Sequence, residues 1–289
     1  ALEWRPLAIE NESRSLESEN WLILRDQQGV GDALIKNVTE AGGQISLVEP
    51  LGRPIGNAKE NVLQVDPKQP SDWKELLESW VQSPAKRRRI VFLWGLDVKS
   101  DQQTSPKSLY EDQEWLCGSF LHLIQAVGGI DIKQLELDVV TRGTQALGKE
   151  SGPLSPIQAL LWGLGRTTNN EYADLPCKLI DIDCDINFEC LEKLFQELCA
   201  VDDENFQVAY RNRERYVARL VEYRQENKLE IPLGGLFKLE AKKRGMLDSL
   251  ALTAADEAMP GPGEIKIAVR AMGLNFRDVL NALGMYPGD

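Results

Sequence analysis

The sequence of 289 residues holds a single histidine, His122, so no site that needs two imidazoles can be built from it, a His-Glu-x-x-His zinc site included. Five cysteines, Cys117, Cys177, Cys184, Cys190 and Cys199, are an odd number with no C-x-x-C pair, which argues against a disulfide framework and a zinc ribbon. They read as reduced, half-buried thiols, and Cys184 and Cys190, across a strand-to-helix turn, have no partner base that would make either a nucleophile. No window holds the roughly 18 uncharged apolar residues of a membrane span. The first ten residues carry acids and lack the apolar stretch of a signal peptide, so a cytoplasmic protein is expected. Basic charge is the scarcer sign: 33 Lys and Arg stand against 45 Asp and Glu, a formal charge of -12, so most of the surface repels a nucleic-acid backbone. The one basic run, Lys86-Arg87-Arg88-Arg89, reads as a solvated loop ahead of a strand.

What is present is a soluble globular mixture, 43% hydrophobic and 27% charged, in a length suited to about two domains. Apolar runs alternate with segments of helical period. Residues 21–25 (WLILR), 45–49, 61–65, 90–94 (IVFLW), 135–140 (LELDVV) and 178–182 read as strands. Between them, helices are expected at Ala33–Ala41, at 72–81 with Asp72 and Glu75 at capping-box spacing, at 109–127, 157–162 and 188–199. Repeated β-α units imply an open, mostly parallel, doubly wound sheet with helices on both faces. Residues 206–210 and 216–220 flank a turn and read as a hairpin closing the domain. A polar, charged stretch, 222–230, follows as a linker. Beyond it come β-rich signals: short strands near 236–239 and 250–253, and a strictly alternating one at 264–271 (EIKIAVRA). Residues 275–283 then have a helical period that Gly284 ends. So short a second unit reads as an incomplete piece of a larger domain.

Gly29-Val30-Gly31 opens the first helix and Glu49 ends the next strand, the layout of a dinucleotide fingerprint. The third glycine is replaced by Leu34, the turn is lengthened by Asp26, Gln27 and Gln28, and the Asp26 carboxylate would face the diphosphate that a helix N-terminus attracts. No cofactor is expected there. A short-chain reductase needs a serine after a central strand and a tyrosine followed four residues on by lysine or asparagine. After 135–140 stands Thr141-Arg142-Gly143-Thr144, the next helix has no tyrosine, and Tyr223 with Asn227 lies in the charged linker. His122 faces away from Leu116, Phe120 and Leu123 with no second ligand at metal spacing, and reads as a structural side chain. Trp115, Phe120 and Trp162 read as core.

The opening Leu2-Glu3-Trp4-Arg5-Pro6-Leu7, the glycine-poor WLILRDQQGVGDAL, the strand LDVVTRGTQAL and the run IQALLWGLGR followed by an acidic segment and 177–183 together resemble the structural subdomain of ketoreductase domains in modular type I polyketide synthases. The resemblance covers about residues 1–225 and implies a truncated, degenerate Rossmann fold that binds no NADPH and braces a separate catalytic subdomain. After a linker at 226–235, residues 236–289 resemble the start of an enoylreductase, a medium-chain reductase with a GroES-like opening, on the strength of Arg244-Gly245-Met246-Leu247-Asp248-Ser249-Leu250, PGPGEIKIAVRA, and Gly273-Leu274-Asn275-Phe276-Arg277-Asp278 through Gly284-Met285-Tyr286-Pro287-Gly288. By motif position Asn275 lies beside the nicotinamide and Tyr286 is the catalytic candidate, associated with protonation at the α-carbon. A phenol suits that task, because hydride delivery to an enoyl thioester leaves an enolate that needs a proton.

The resemblance further implies that the chain stops ahead of the enoylreductase's nucleotide loop, so that this segment is inactive by itself while the complete ketoreductase and enoylreductase use NADPH. Its partners would be the ketoreductase catalytic subdomain, the rest of the enoylreductase and an acyl carrier protein with its tethered substrate, with no nucleic acid and no membrane. Two rival readings stay open on the sequence: a free-standing short-chain dehydrogenase using Gly29, Gly31 and Glu49, and an assembly module that docks a carrier protein or another subunit.

Overall fold

The structure, a computed structural model, describes all residues except 1, 10–14, 53–54, 56–61, 99–104, 133, 148–153, 184–185, 201–204, 223–228, 234, 257–258, 268, 270 and 287–289. Tyr223, Asn227, Cys184, Pro287 and Gly288 therefore lie outside the described residues. The chain divides into two compact units, Ala1–Val221 and Glu222–Asp289.

Among the described residues the first unit carries one nine-stranded sheet. In chain order its elements are β1 (Leu2–Pro6), β2 (Glu19–Leu24), α1 (Val30–Glu40), β3 (Gln44–Pro50), β4 (Val62–Val65), α2 (Pro70–Trp80), β5 (Arg87–Phe92), α3 (Pro106–Gly128), β6 (Leu135–Arg142), α4 (Pro156–Glu171), β7 (Cys177–Ile182), α5 (Phe188–Cys199), β8 (Gln207–Arg211) and β9 (Glu214–Leu220). The spatial order is β1-β9-β8-β7-β6-β5-β2-β3-β4. From β4 through β8 every neighbour is parallel, which requires crossover connections; α1, α2, α3, α4 and α5 supply all but the one from β3 to β4. The β8–β9 hairpin turns at Asn212 and Arg213, both with positive φ (49° and 71°), the backbone of a two-residue type I′ turn.

Strand alternation sends side chains to two apolar layers. One face, under α2, α3 and α4, is floored by Leu22, Ile90, Phe92, Leu137 and Leu179; the other, under α1 and α5, by Ile23, Val91, Val140, Ile180 and Val208. Leu116, Phe120, Leu123, Ile124 and Val127 of α3 are buried in the first layer as their spacing requires. All seven tryptophans of the chain fall in this unit. Trp94 stacks on Trp115 with centroids 5.8 Å apart and touches Trp73, and Phe92 meets Phe120 edge-on at 5.1 Å.

Four expectations need correction. The strand β1 was not anticipated; it pairs antiparallel with β9, more than 200 residues away in sequence, and Trp4 anchors it by an edge contact with Trp162 at 5.9 Å. In α2 the N-cap is Gln69 and Pro70 takes the first helical position, where its missing N–H is no loss, so Asp72 is not a cap and instead accepts the Asp66 N–H at 3.1 Å. The basic run is not a solvated loop: Arg87, Arg88 and Arg89 begin β5, Arg88 donates to the carbonyls of Val81 and Ser83, and buried Arg89 pairs with Asp138 and Glu136 of the neighbouring strand. In the second unit the alternating segment 264–271 forms no strand over its described residues; Ile265, Ile267 and Val269 are exposed, since alternation makes a strand only when a neighbour supplies the ladder. That unit otherwise holds the antiparallel pair β10 (Phe237–Ala241) and β11 (Leu250–Ala254), and the short helix α6 (Phe276–Ala282).

Candidate functional site

In an open α/β sheet, ligands bind past the carboxyl ends of the strands where the strand order reverses. Here that point lies between β2 and β5, and the first helix α1 rises from it. Gly29 caps α1 in the left-handed conformation (φ 89°) with open space around it. The first-turn amides of such a helix, with its positive end, are what a diphosphate uses. Those of Val30 and Gly31 are already taken. Asp26, 1% exposed, accepts the Gly31 N–H on Oδ1 at 2.7 Å and the N–H groups of Gln28 and Val30 on Oδ2 at 2.9 and 3.2 Å. Burial pushes the Asp26 carboxyl above the ordinary aspartate range, and the bonds from Gly31 and Val30 work against that rise.

The rest of the crevice is closed from within. The Gln27 N–H donates to Asp97 Oδ1 at 2.7 Å, tying the turn after β2 to the 3-10 turn that follows β5. Glu49, which in a fingerprint would receive ribose hydroxyls, has both oxygens engaged: Oε1 by Arg25 Nη1 at 2.7 Å and Oε2 by the Ile55 N–H at 3.2 Å. Arg25 also donates to Asp32 at 2.8 Å; that bond raises the Arg25 pKa, burial lowers it, and Glu49 adds to the rise. Gly31 has a packing reason of its own, since an added Cβ would stand 3.3 Å from Arg25 Cγ, Asp26 Oδ1 and Leu93 Cδ1. Gly31 thus packs against Arg25, which binds Glu49, and the Asp26 carboxylate takes the Val30 and Gly31 amides where a phosphate would sit. The residues present do not fit a dinucleotide at this turn.

At the end of β6, where a short-chain reductase would hold its catalytic hydroxyl, Thr141 is wholly buried. Its Oγ1 donates to Asp181 Oδ1 at 2.8 Å and receives the Trp162 indole N–H at 2.9 Å. Asp181 also accepts from Thr144, Gln145 and Arg211, which commits both of its carboxylate oxygens. No tyrosine lies on α4. His122 Nδ1 meets the Pro67 carbonyl at 2.9 Å, a structural tie between α3 and the loop before α2. Of the cysteines, Cys177 is buried and its thiol is pushed up by burial and by Asp138; Cys117 and Cys190 are raised by burial as well. Among the described residues no His, Cys, Asp or Glu group is placed to hold a metal.

In the second unit Asn275 is the N-cap of α6: its Oδ1 accepts the Arg277 N–H at 3.1 Å, while Asp278 Oδ2 accepts the Asn275 N–H at 2.7 Å. Tyr286, half-buried, lies with its ring under the Arg277 guanidinium, 4.6 Å from carbon to centroid. The roles of Arg25, Asp97 and Arg277 were not foreseen; only the position of Asp26 carried a signal.

A family model described as the Rossmann fold domain of the polyketide synthase extender module SpnB matches residues 2–220. The chain belongs to this family of polyketide synthase extender-module Rossmann domains. A relative, the phthioceranic/hydroxyphthioceranic acid synthase of Mycobacterium bovis BCG, is 36% identical over 205 residues, covering 68% of this chain and 9% of that protein. The mycoketide-CoA synthase of Mycobacterium tuberculosis is 26% identical over 262 residues, covering 85% of this chain and 6% of that protein. The chain thus spans less than a tenth of the length of these relatives. A solved C2-type ketoreductase from a modular polyketide synthase shares the fold, with 20% identity and a TM-score of 0.56, over 80% of this chain and 45% of that one. No helix among the described residues is long and apolar enough to cross a membrane.

Proposed function

We propose that residues 1–225 of this extender-module Rossmann domain are a non-catalytic scaffold that braces the ketoreductase catalytic half, and that residues 236–289 are the opening of an NADPH-dependent enoylreductase, joined by a linker at 226–235. The observation that carries the scaffold reading is Asp26: a buried carboxylate already satisfies the amides a diphosphate would need. The Thr141–Asp181–Trp162 network supports it, since the Thr141 and Thr144 hydroxyls are both committed to Asp181 and not to a ketone. In support of the enoylreductase, the match to the mycoketide-CoA synthase covers 85% of the chain, more than residues 2–220 alone supply, so it runs on into the second unit.

In this reading the chain works in the cytoplasm, and its partners are the catalytic half of the ketoreductase, the remainder of the enoylreductase and a carrier protein bearing the acyl thioester. Asn275 would lie by the nicotinamide and Tyr286 would give the α-carbon its proton. The test is a calorimetric titration of residues 1–221 with NADPH. No heat of binding is expected at any concentration up to the millimolar range; saturable micromolar binding would overturn the scaffold reading in favour of a free-standing dehydrogenase.

A further inference from the structure

We propose that Arg277 is the positioning residue that joins Asn275 and Tyr286 into one working unit. The inference rests on the enoylreductase reading of the second unit. Arg277 touches both candidates. Its backbone N–H occupies the Asn275 side-chain carbonyl at 3.1 Å, which fixes that side chain as the helix cap and leaves its amide N–H groups as what it can offer a ligand. Its guanidinium covers the Tyr286 ring at 4.6 Å.

The geometry is set at both ends of α6. The capping box with Asp278 fixes the start. At the far end Gly284, with φ +68°, reverses the chain so that Tyr286 comes back toward Arg277, a backbone turn a side-chain-bearing residue resists. A second arginine holds the same turn: Arg244 Nη2 donates to the Tyr286 carbonyl at 3.2 Å, and the Gly245 N–H donates to the Ala282 carbonyl at 2.9 Å. Tyr286 is thereby held by its ring face and its main chain, while no described hydrogen bond engages its phenol oxygen. That is the arrangement a proton donor needs: a fixed ring and an uncommitted O–H.

A bound reduced nicotinamide would supply hydride to the β-carbon of the enoyl thioester, leaving an electron pair shared between the α-carbon and the thioester oxygen. The Tyr286 O–H bond then breaks as the new C–H bond forms at the α-carbon, and the phenolate regains its proton from water. Arg277 lies over the face of that ring and holds its direction while the proton leaves.

The contact is tested directly by fluorine NMR of the 289-residue chain labelled with 3-fluorotyrosine, which gives one signal for each of six tyrosines. Tyr286→Phe identifies the Tyr286 signal. Arg277→Met should move that signal by several linewidths toward the value of the free amino acid, while Arg277→Lys, which keeps a cation, moves it less; the other tyrosine signals should stay, showing that the chain remains folded. A Tyr286 signal unmoved in Arg277→Met overturns the proposal. In the full-length synthase reducing an α-methyl enoyl thioester in heavy water, Arg277→Met should scramble the configuration of the α-deuterium at unchanged KM, and Arg277→Lys should restore it. Scrambling by Tyr286→Phe but not by Arg277→Met overturns the positioning role alone. Intact configuration in Tyr286→Phe overturns the proton-donor reading on which it rests.

Discussion

Replacing Asp26 with glycine removes the internal anion and leaves everything around it in place, so its consequences can be worked from the geometry. Three backbone N–H groups at 2.7, 2.9 and 3.2 Å lose their acceptor. Loss of a helix cap costs about 0.5–2 kcal/mol. A buried donor left without a partner costs about 1–3 kcal/mol, but Gln27 and Gln28 border the turn at the surface, so water can reach part of the gap. Removing the carboxylate also relieves the burial that pushes its pKa upward. The net expectation is a loss of about 2 kcal/mol, which in a unit of this size lowers Tm by roughly 4–8 °C.

The same substitution exposes free amides at a positive helix end, and inorganic phosphate should then find them. If it binds with a Kd of about 10 mM, phosphate at about 100 mM restores about 1.4 kcal/mol to the variant and nothing to the parent. Scanning calorimetry with phosphate against chloride at matched ionic strength reads both effects. Phosphate stabilising the parent as much as the variant, or an Asp26→Gly chain as stable as the parent, would refute the claim that this carboxylate stands where a diphosphate would. The pH dependence follows from the raised Asp26 pKa: the folded state holds that proton more tightly than the unfolded chain. The stability margin over Asp26→Asn should therefore be largest below the ordinary aspartate pKa and shrink as pH rises through the raised value.

Glu197 sits buried among Arg215, Lys178 and Tyr210, and although burial works to raise its pKa, the Arg215 bond and the Lys178 charge hold it below the ordinary glutamate range. Glu197→Gln strands two cations and should cost about 3–5 kcal/mol by urea denaturation at neutral pH. In the parent this contribution is present above the ordinary glutamate pKa and is lost as pH falls through the lowered value, so the gap between the two chains should close in acid. Gly165 brings α4 against β7, where an added Cβ would overlap the Leu179 side chain and stand 3.3 Å from Cys177 Sγ. Gly165→Ala should cost about 1–3 kcal/mol in the same assay, and a neutral result would mean that α4 can move away from the sheet.

The doubly wound sheet was legible because each strand's apolar run and each helix's period report burial locally. What escaped depended on partners distant in sequence. Nothing in Leu2–Pro6 announces that it pairs with Glu214–Leu220, and three consecutive arginines look solvated until Asp138 and Glu136 are placed beside Arg89. The weak glycine loop was readable as such. That Asp26 does more than repel a diphosphate, and itself takes the amides, could not be read, because a residue's charge is written in the sequence but the direction of its oxygens is not. At 264–271 the alternation is real, yet its described residues lack a neighbouring ladder, and pattern alone cannot supply one.

The placement of every indole ahead of residue 163 makes the chain optically lopsided. Intrinsic emission excited at the red edge reports only on the sheet and its five helices, and the segment that follows is dark. Melting of that dark segment, followed by backbone dichroism or by its own phenols, can thus be separated from loss of the sheet in a single sample, without any added dye or label.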